Sequence, residues 1–128
     1  MVAVDTNVVV RLLTGDDADQ LAVAEAAIAD GAWISREVVL ETAWALRSLF
    51  GFDHAEIALA LTLLLRNDWI VVEDAEIIAA AVDQYRRRPA LRFADCMILE
   101  RARHAGHLPL LTFDKALSRL DGTTRLER

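Results

Sequence analysis

Five short apolar runs break this chain, and they restrict its fold more than any other feature does. They lie at 2–4, 32–35, 69–72, 108–113 and, more weakly, 123–126. Runs of this length bounded by turn residues read as buried strands, and the segments between them repeat apolar residues at helical spacing. Strands alternating with helices predict an α/β domain with a mostly parallel sheet. At 128 residues the chain has room for one domain with a real core and not for two.

The helices follow from their start and stop signals. One is predicted over Thr6–Leu13, and a second after Gly15-Asp16-Asp17, carrying Leu21, Ala24 and Ile28 and ending near Gly31. Ser35 is placed to cap a helix from Arg36 to about Phe50, and Asp53 another from His54 to about Arg66. Further helices are expected from Glu73 to Arg87, from Ala94 to Ala105 before the stop at Gly106, and over Lys115–Leu120. The stretch Ile57–Leu65 is apolar nearly all round, which favours part of that helix facing a partner.

Composition narrows the class. A hydrophobic fraction of 55% argues for an ordered globule. No uncharged run exceeds ten residues, too few to span a bilayer, and Asp5 interrupts the N-terminus before a signal-peptide pattern can form. Cys96 is the one cysteine, so no internal disulfide can form. A cytoplasmic protein is the expectation. The net charge of −6 is opposite in sign to the usual footprint of a nucleic-acid binder. It is unevenly spread: residues 1–64 carry 3 arginines and 10 acids, a net of −7, and residues 65–128 a net of +1. Setting aside Asp5, Glu41, Asp95 and Asp114 as metal-bound raises the total from −6 to −2.

Those four acids carry the chemistry. Asp5 ends the first apolar run, Glu41 lies about a turn and a half into the helix after the second, Asp95 begins a helix, and Asp114 follows the fourth run. In an open parallel sheet, ligands bind outside the carboxyl ends of the strands. Clustered carboxylates without His or Cys companions select Mg²⁺ or Mn²⁺ over zinc. Thr6, Asn7 and Thr112 are short polar neighbours suited to orienting carboxylates or a water. Asp5, Asp95 and Asp114 also stand where helix caps stand, and spacing alone leaves cap and ligand both open.

The segments Val2-Ala3-Val4-Asp5-Thr6-Asn7, Ser35-Arg36-Glu37-Val38-Val39-Leu40-Glu41, Phe93-Ala94-Asp95-Cys96 and Leu111-Thr112-Phe113-Asp114-Lys115, in that order, resemble PIN-domain proteins, most of all the VapC-type toxins of bacterial toxin–antitoxin pairs. The resemblance covers essentially the whole chain, with all four acidic positions filled. It implies a three-layer α/β/α fold with a five-stranded sheet of order 3-2-1-4-5. It also implies a Mg²⁺- or Mn²⁺-dependent endoribonuclease in which Asp5, Glu41, Asp95 and Asp114 bind the metal and Thr6, Asn7 and Thr112 support the site. A homodimer is implied as well, together with a cognate antitoxin whose tail occupies the active-site groove.

Other residues carry weaker readings. Arg86, Arg87, Arg88 and Arg92 are candidate RNA phosphate contacts and equally a solvated helix end, with Arg101, Arg103 and Arg119 weaker candidates. His54, His104 and His107 lack ligand spacing, and Cys96 lacks a His partner, so a small buried thiol is expected. Trp44, Phe50 and Phe52 read as core with one or two of them partly exposed, and a groove for an antitoxin helix is the alternative. Glu37 shares a helix face with Glu41. A receiver-type phosphoacceptor domain would need an acid pair where Thr6-Asn7 stand, and a haloacid-type phosphatase would need an acid at Asn7. A PIN-like binding module without catalysis is the remaining alternative, and the four intact acids speak against it.

Overall fold

A computed structural model describes residues 1–127. Chain contacts divide the molecule into two compact units, residues 1–75 and 76–128. Their charge differs in sign: the first carries 4 arginines and 13 acids, a net of −9, and the second 10 basic residues and 7 acids, a net of +3.

The first unit runs β1 (Val2–Ala3), α1 (Thr6–Thr14), α2 (Ala18–Ala27), β2 (Ala32–Ile34), α3 (Arg36–Ser48), α4 (His54–Leu65) and β3 (Ile70–Val72). Its strands form one parallel sheet in which β2 is central, with Val2 opposite Ala32 and Ala32 opposite Ile70. Each helix begins on a side chain that accepts an orphan amide hydrogen: Asp5 for α1, Asp17 for α2, Ser35 for α3 and Asp53 for α4, the last completed by Glu56 as a capping box. Gly15 ends α1 in the left-handed region at φ 60°, where its N–H reaches the Arg11 carbonyl. Beyond it, Arg11 Nη1 donates to Asp16 Oδ1 at 2.9 Å, Arg11 Nε donates to Gln20, and the Thr14 hydroxyl donates to Asp16 Oδ1 at 2.8 Å. That network fixes the α1–α2 turn. The Thr14 hydroxyl, with help from Arg11, holds the Asp16 carboxyl below its ordinary range.

The core of this unit is aliphatic: Val9, Ile34, Val39, Leu46, Ile57 and Leu61 are all at or below 1% exposure. Helix α4 is buried along Ile57, Ala58, Ala60, Leu61 and Leu64 while Leu59 and Leu63 stand in solvent. The all-round apolar helix is therefore buried on most of its surface and bare along one (i, i+4) stripe. Of the three aromatics read as core with one or two partly exposed, Trp44 is 62% exposed, because the buried positions of α3 are Val39, Thr42, Ala43, Ala45 and Leu46 on the other side. Phe50 and Phe52 are half-buried.

The second unit holds α5 (Ala75–Arg87, whose first residue belongs to the first unit), α6 (Phe93–His104), β4 (Leu110–Thr112), a 3₁₀ turn at Leu117–Arg119 and β5 (Thr123–Arg125). Strands β4 and β5 pair in parallel, Leu110 opposite Thr123. Ile78, Tyr85, Leu91, Phe93, Cys96 and Leu99 are buried, with the Tyr85 and Phe93 rings edge to face at 5.9 Å. Arg103 donates to Glu100 Oε2 at 3.1 Å and to the Asp121 carbonyl at 2.6 Å, tying α6 to the turn before β5. This pairing compensates the buried carboxylate of Glu100.

The chain is thus α/β with parallel strands, as the alternation of runs predicts. The expected single order of five strands is described as two ladders, β3-β2-β1 in the first unit and β4-β5 in the second. The strands are two or three residues long, shorter than the apolar runs that announced them, because several run residues lie in the flanking turns. Helix α5 starts at Ala75 rather than Glu73 for a local reason. Asp74 sits at φ 52°, a left-handed conformation that interrupts a right-handed helix. Among the described residues, no helix is long and apolar enough to cross a membrane.

Candidate active site

Asp5 leaves β1 and opens α1. Its Oδ1 accepts the Val8 N–H at 3.3 Å, and its other carboxylate oxygen has no partner among the described residues. Thr6 is half-buried behind it. Asn7 is exposed and lines, with Val8, Arg11, Gln20 and Val23, an open groove of about 420 Å³ between α1 and α2.

Glu41 projects from α3, which packs against α1, so the helices bearing these two acids are neighbours. The Glu41 carboxylate is exposed and makes no hydrogen bond or ion pair among the described residues. Glu37 and Trp44 are exposed on the same face, one turn before and one after it. Glu37 approaches Arg36 Nε at 3.8 Å.

The start of α3 is tied down by groups that the motif reading did not single out. Arg36 N–H donates to Glu73 Oε1 at 3.0 Å and Arg36 Nη1 donates to Asp74 Oδ2 at 2.8 Å. The Asp74 hydrogen bond is the main cause that raises the Arg36 pKa, against a desolvation that lowers it. Two consecutive acids directly after a buried strand were the available signal.

In the second unit, Asp95 stands at the third position of α6, where a negative group is favoured by the helix dipole. Its side chain is 19% exposed, and Arg92 Nε lies 3.7 Å from Asp95 Oδ2. Asp114 follows β4 after Phe113. Its N–H donates to Thr112 Oγ1 at 3.0 Å, and its Oδ1 accepts the Leu117 N–H at 2.9 Å. Thr112 therefore orders the backbone that carries Asp114. Asp114 is exposed, and its second oxygen has no partner among the described residues.

The arginines differ from one another. Arg86 Nη2 donates to Asp83 Oδ1 at 2.9 Å and Arg87 to Asp83 Oδ2, and these contacts, that of Arg86 first, hold the Asp83 carboxyl below its ordinary range. Arg88 has no ion-pair partner among the described residues, and Arg92 has only the long contact to Asp95. All four are exposed. Cys96 is fully buried, and burial, with Asp95 and Glu100 adding to it, pushes its thiol up to about 12. It is the inert thiol that its sequence context predicts.

Asp5 and Glu41 lie in the first unit, and Asp95 and Asp114 in the second. Their donors are carboxylate oxygens, which suit a hard divalent cation. Among the described residues, no three His, Cys, Asp or Glu side chains are grouped in a way that would hold a metal ion. No curated protein and no solved structure matches the chain. The model of the PIN domain, a nuclease-type fold, matches residues 2–123, a span that includes all four acids and their polar neighbours. By that match over nearly its whole length, the chain belongs to the PIN domain family.

Proposed function

We propose that this protein is a metal-dependent endoribonuclease and the VapC-type toxin of a toxin–antitoxin pair. The observation that carries the reading is the PIN match running through both units, with an acid at each of Asp5, Glu41, Asp95 and Asp114. These four would hold Mg²⁺ or Mn²⁺. When bound, the ion supplies charge neutralisation at the scissile phosphate and a lowered pKa for water.

The chain's own residues do the rest. Asp5 caps α1 with one oxygen and Asp114 accepts the Leu117 N–H with one of its own, so each carboxylate is held by its own backbone with the other oxygen open. Thr112 fixes the backbone of Asp114, while Thr6 and Asn7 supply polar groups beside Asp5. Glu41 serves as a ligand or orients the attacking water. Water attacks phosphorus in line, without a covalent enzyme intermediate. Arg88 and Arg92 are the better candidates for RNA phosphate contacts, since Arg86 and Arg87 already share Asp83.

The reading includes a homodimer, a cognate antitoxin and a cytoplasmic location. The bare stripe of Leu59 and Leu63 on α4 supports a protein partner of some kind. An RNase assay with Mn²⁺, repeated with a chelator, tests the activity. Cleavage that disappears with chelation and returns with metal supports it, and absence of cleavage under every metal condition favours the non-catalytic binding module.

A further inference from the structure

We infer that Arg36 is a positioning residue for Glu41, locking the first turn of α3 to the end of β3. The inference rests on Glu41 belonging to the proposed site. All of its parts lie within residues 1–75.

The first turn of a helix has amide hydrogens with no partner inside the helix. In α3, Ser35 Oγ accepts that of Val38 at 3.2 Å, and Glu73 Oε1 accepts that of Arg36 at 3.0 Å. The Arg36 guanidinium meanwhile donates to Asp74. One residue therefore grips two successive acids, with its backbone and with its side chain. The Glu73 N–H donates to the Ile34 carbonyl at 3.0 Å, so the segment Ile34-Ser35-Arg36 and the segment Glu73-Asp74 are joined in both directions.

This joint has a bearing on Glu41 because nothing else holds that carboxylate. It stands five residues after Arg36, about 7.5 Å along the axis of a rigid helix, and makes no side-chain bond of its own among the described residues. Its place is set by α3 itself, through the buried face of that helix and through this joint at its start. The Arg36–Asp74 pair is better shielded than the exposed Arg86–Asp83 pair. Its side chains are 35% and 32% exposed, against 62% and 44% for Arg86 and Asp83, so water screens it less. A misplacement of about 1 Å at a reacting group can cost about 100-fold in rate.

The test uses the full chain with Arg36→Ala, Arg36→Lys and Asp74→Asn, each alone and combined with Glu41→Gln. The expected result is a kcat lowered between about 10- and 100-fold by Arg36→Ala, with KM little changed and most of the loss recovered by Arg36→Lys. In the Glu41→Gln background, Arg36→Ala should cost nothing more, as for two residues acting through one group. Amide hydrogen exchange should quicken across residues 36–41 and stay unchanged in α4. Unaltered kcat in Arg36→Ala and Asp74→Asn, with Glu41→Gln slowed but still measurable, overturns the inference, and so do losses that simply add in the double variants. Full cleavage by Glu41→Gln would instead remove the reading of the site on which the inference stands. Should Arg36→Ala fail to fold, Asp74→Asn carries the same expectations.

Discussion

Asp5 Oδ1 and the Val8 amide stand 3.3 Å apart, so the acid at the end of β1 caps a helix with one oxygen and keeps the other open. Cap and ligand were competing readings of this residue, and the geometry is compatible with both at once. Asparagine caps a helix about as well as aspartate but carries no charge. Asp5→Asn should therefore leave thermal stability within about 0.5 kcal/mol of the parent while cutting Mn²⁺-dependent RNA cleavage by more than about 100-fold. Asp5→Ala should lose cleavage and about 1 kcal/mol of stability together. Cleavage by Asp5→Asn at the parent rate sinks the assignment.

A parallel expectation holds for Thr112, whose hydroxyl oxygen accepts the Asp114 N–H. Thr112→Val removes that bond at a cost of about 1 kcal/mol and loosens the backbone that carries Asp114. Thr112→Ser keeps the acceptor and should retain activity. Melting temperatures and kcat measured side by side check both variants. Equal activity of the valine and serine forms would argue against a supporting role.

Salt titration separates the arginines. If Arg88 and Arg92 each contact a phosphate of single-stranded RNA, replacing either with Gln should flatten the dependence of log K on log salt by about 0.7. Arg86→Gln and Arg87→Gln should change it less, because both are engaged by Asp83. Identical slopes for all four variants contradict that division.

Cys96 gives a pH expectation. Its thiol is pushed from 9.0 up to about 12 in the fold, mainly by burial. A raised pKa means that the folded chain keeps its proton where the unfolded chain has lost it. The contribution to stability is whole below pH 9 and fades as pH rises toward 12. Denaturant melts at pH 8 and pH 10 should show the fall, and Cys96→Ala should make it smaller. A thiol reagent at pH 8 should label the unfolded chain and spare the folded one.

The exposed pair Leu59 and Leu63 on α4 bears on oligomeric state. If this stripe seals a homodimer, Leu59→Glu combined with Leu63→Glu should shift the protein to monomer in sedimentation velocity without unfolding it. A dimer that survives the double substitution places its interface elsewhere.

Much of this structure was legible in the chain. Ser35, Asp53 and Gly15 signal helix ends by local chemistry, and the helices begin or end where those residues stand. The alternation of runs gave parallel pairing, because that rests on connection length rather than on any single contact. What was hidden depends on residues far apart in sequence. The left-handed Asp74 that delays the start of α5 also pairs with Arg36, thirty-eight positions earlier, a partner that no local pattern announces. Aromatic bulk suggests burial with at most partial exposure for Trp44, whereas its face of α3 is the one that carries Glu37 and Glu41. The acids and their cap positions were visible in the chain, and coordinates were needed to show that of the four only Asp5 caps a helix.

The opposite charges of the two units make ionic strength act on this chain in two directions. Residues 1–75, at net −9, repel a polyanion and draw divalent cations toward themselves, while residues 76–128, at net +3, attract the polyanion. Added salt shortens the reach of both fields, to about 8 Å at physiological strength. It relieves a repulsion and weakens an attraction at the same time. Binding of a nucleic acid should accordingly weaken less steeply with salt than it would for a uniformly basic protein making the same phosphate contacts.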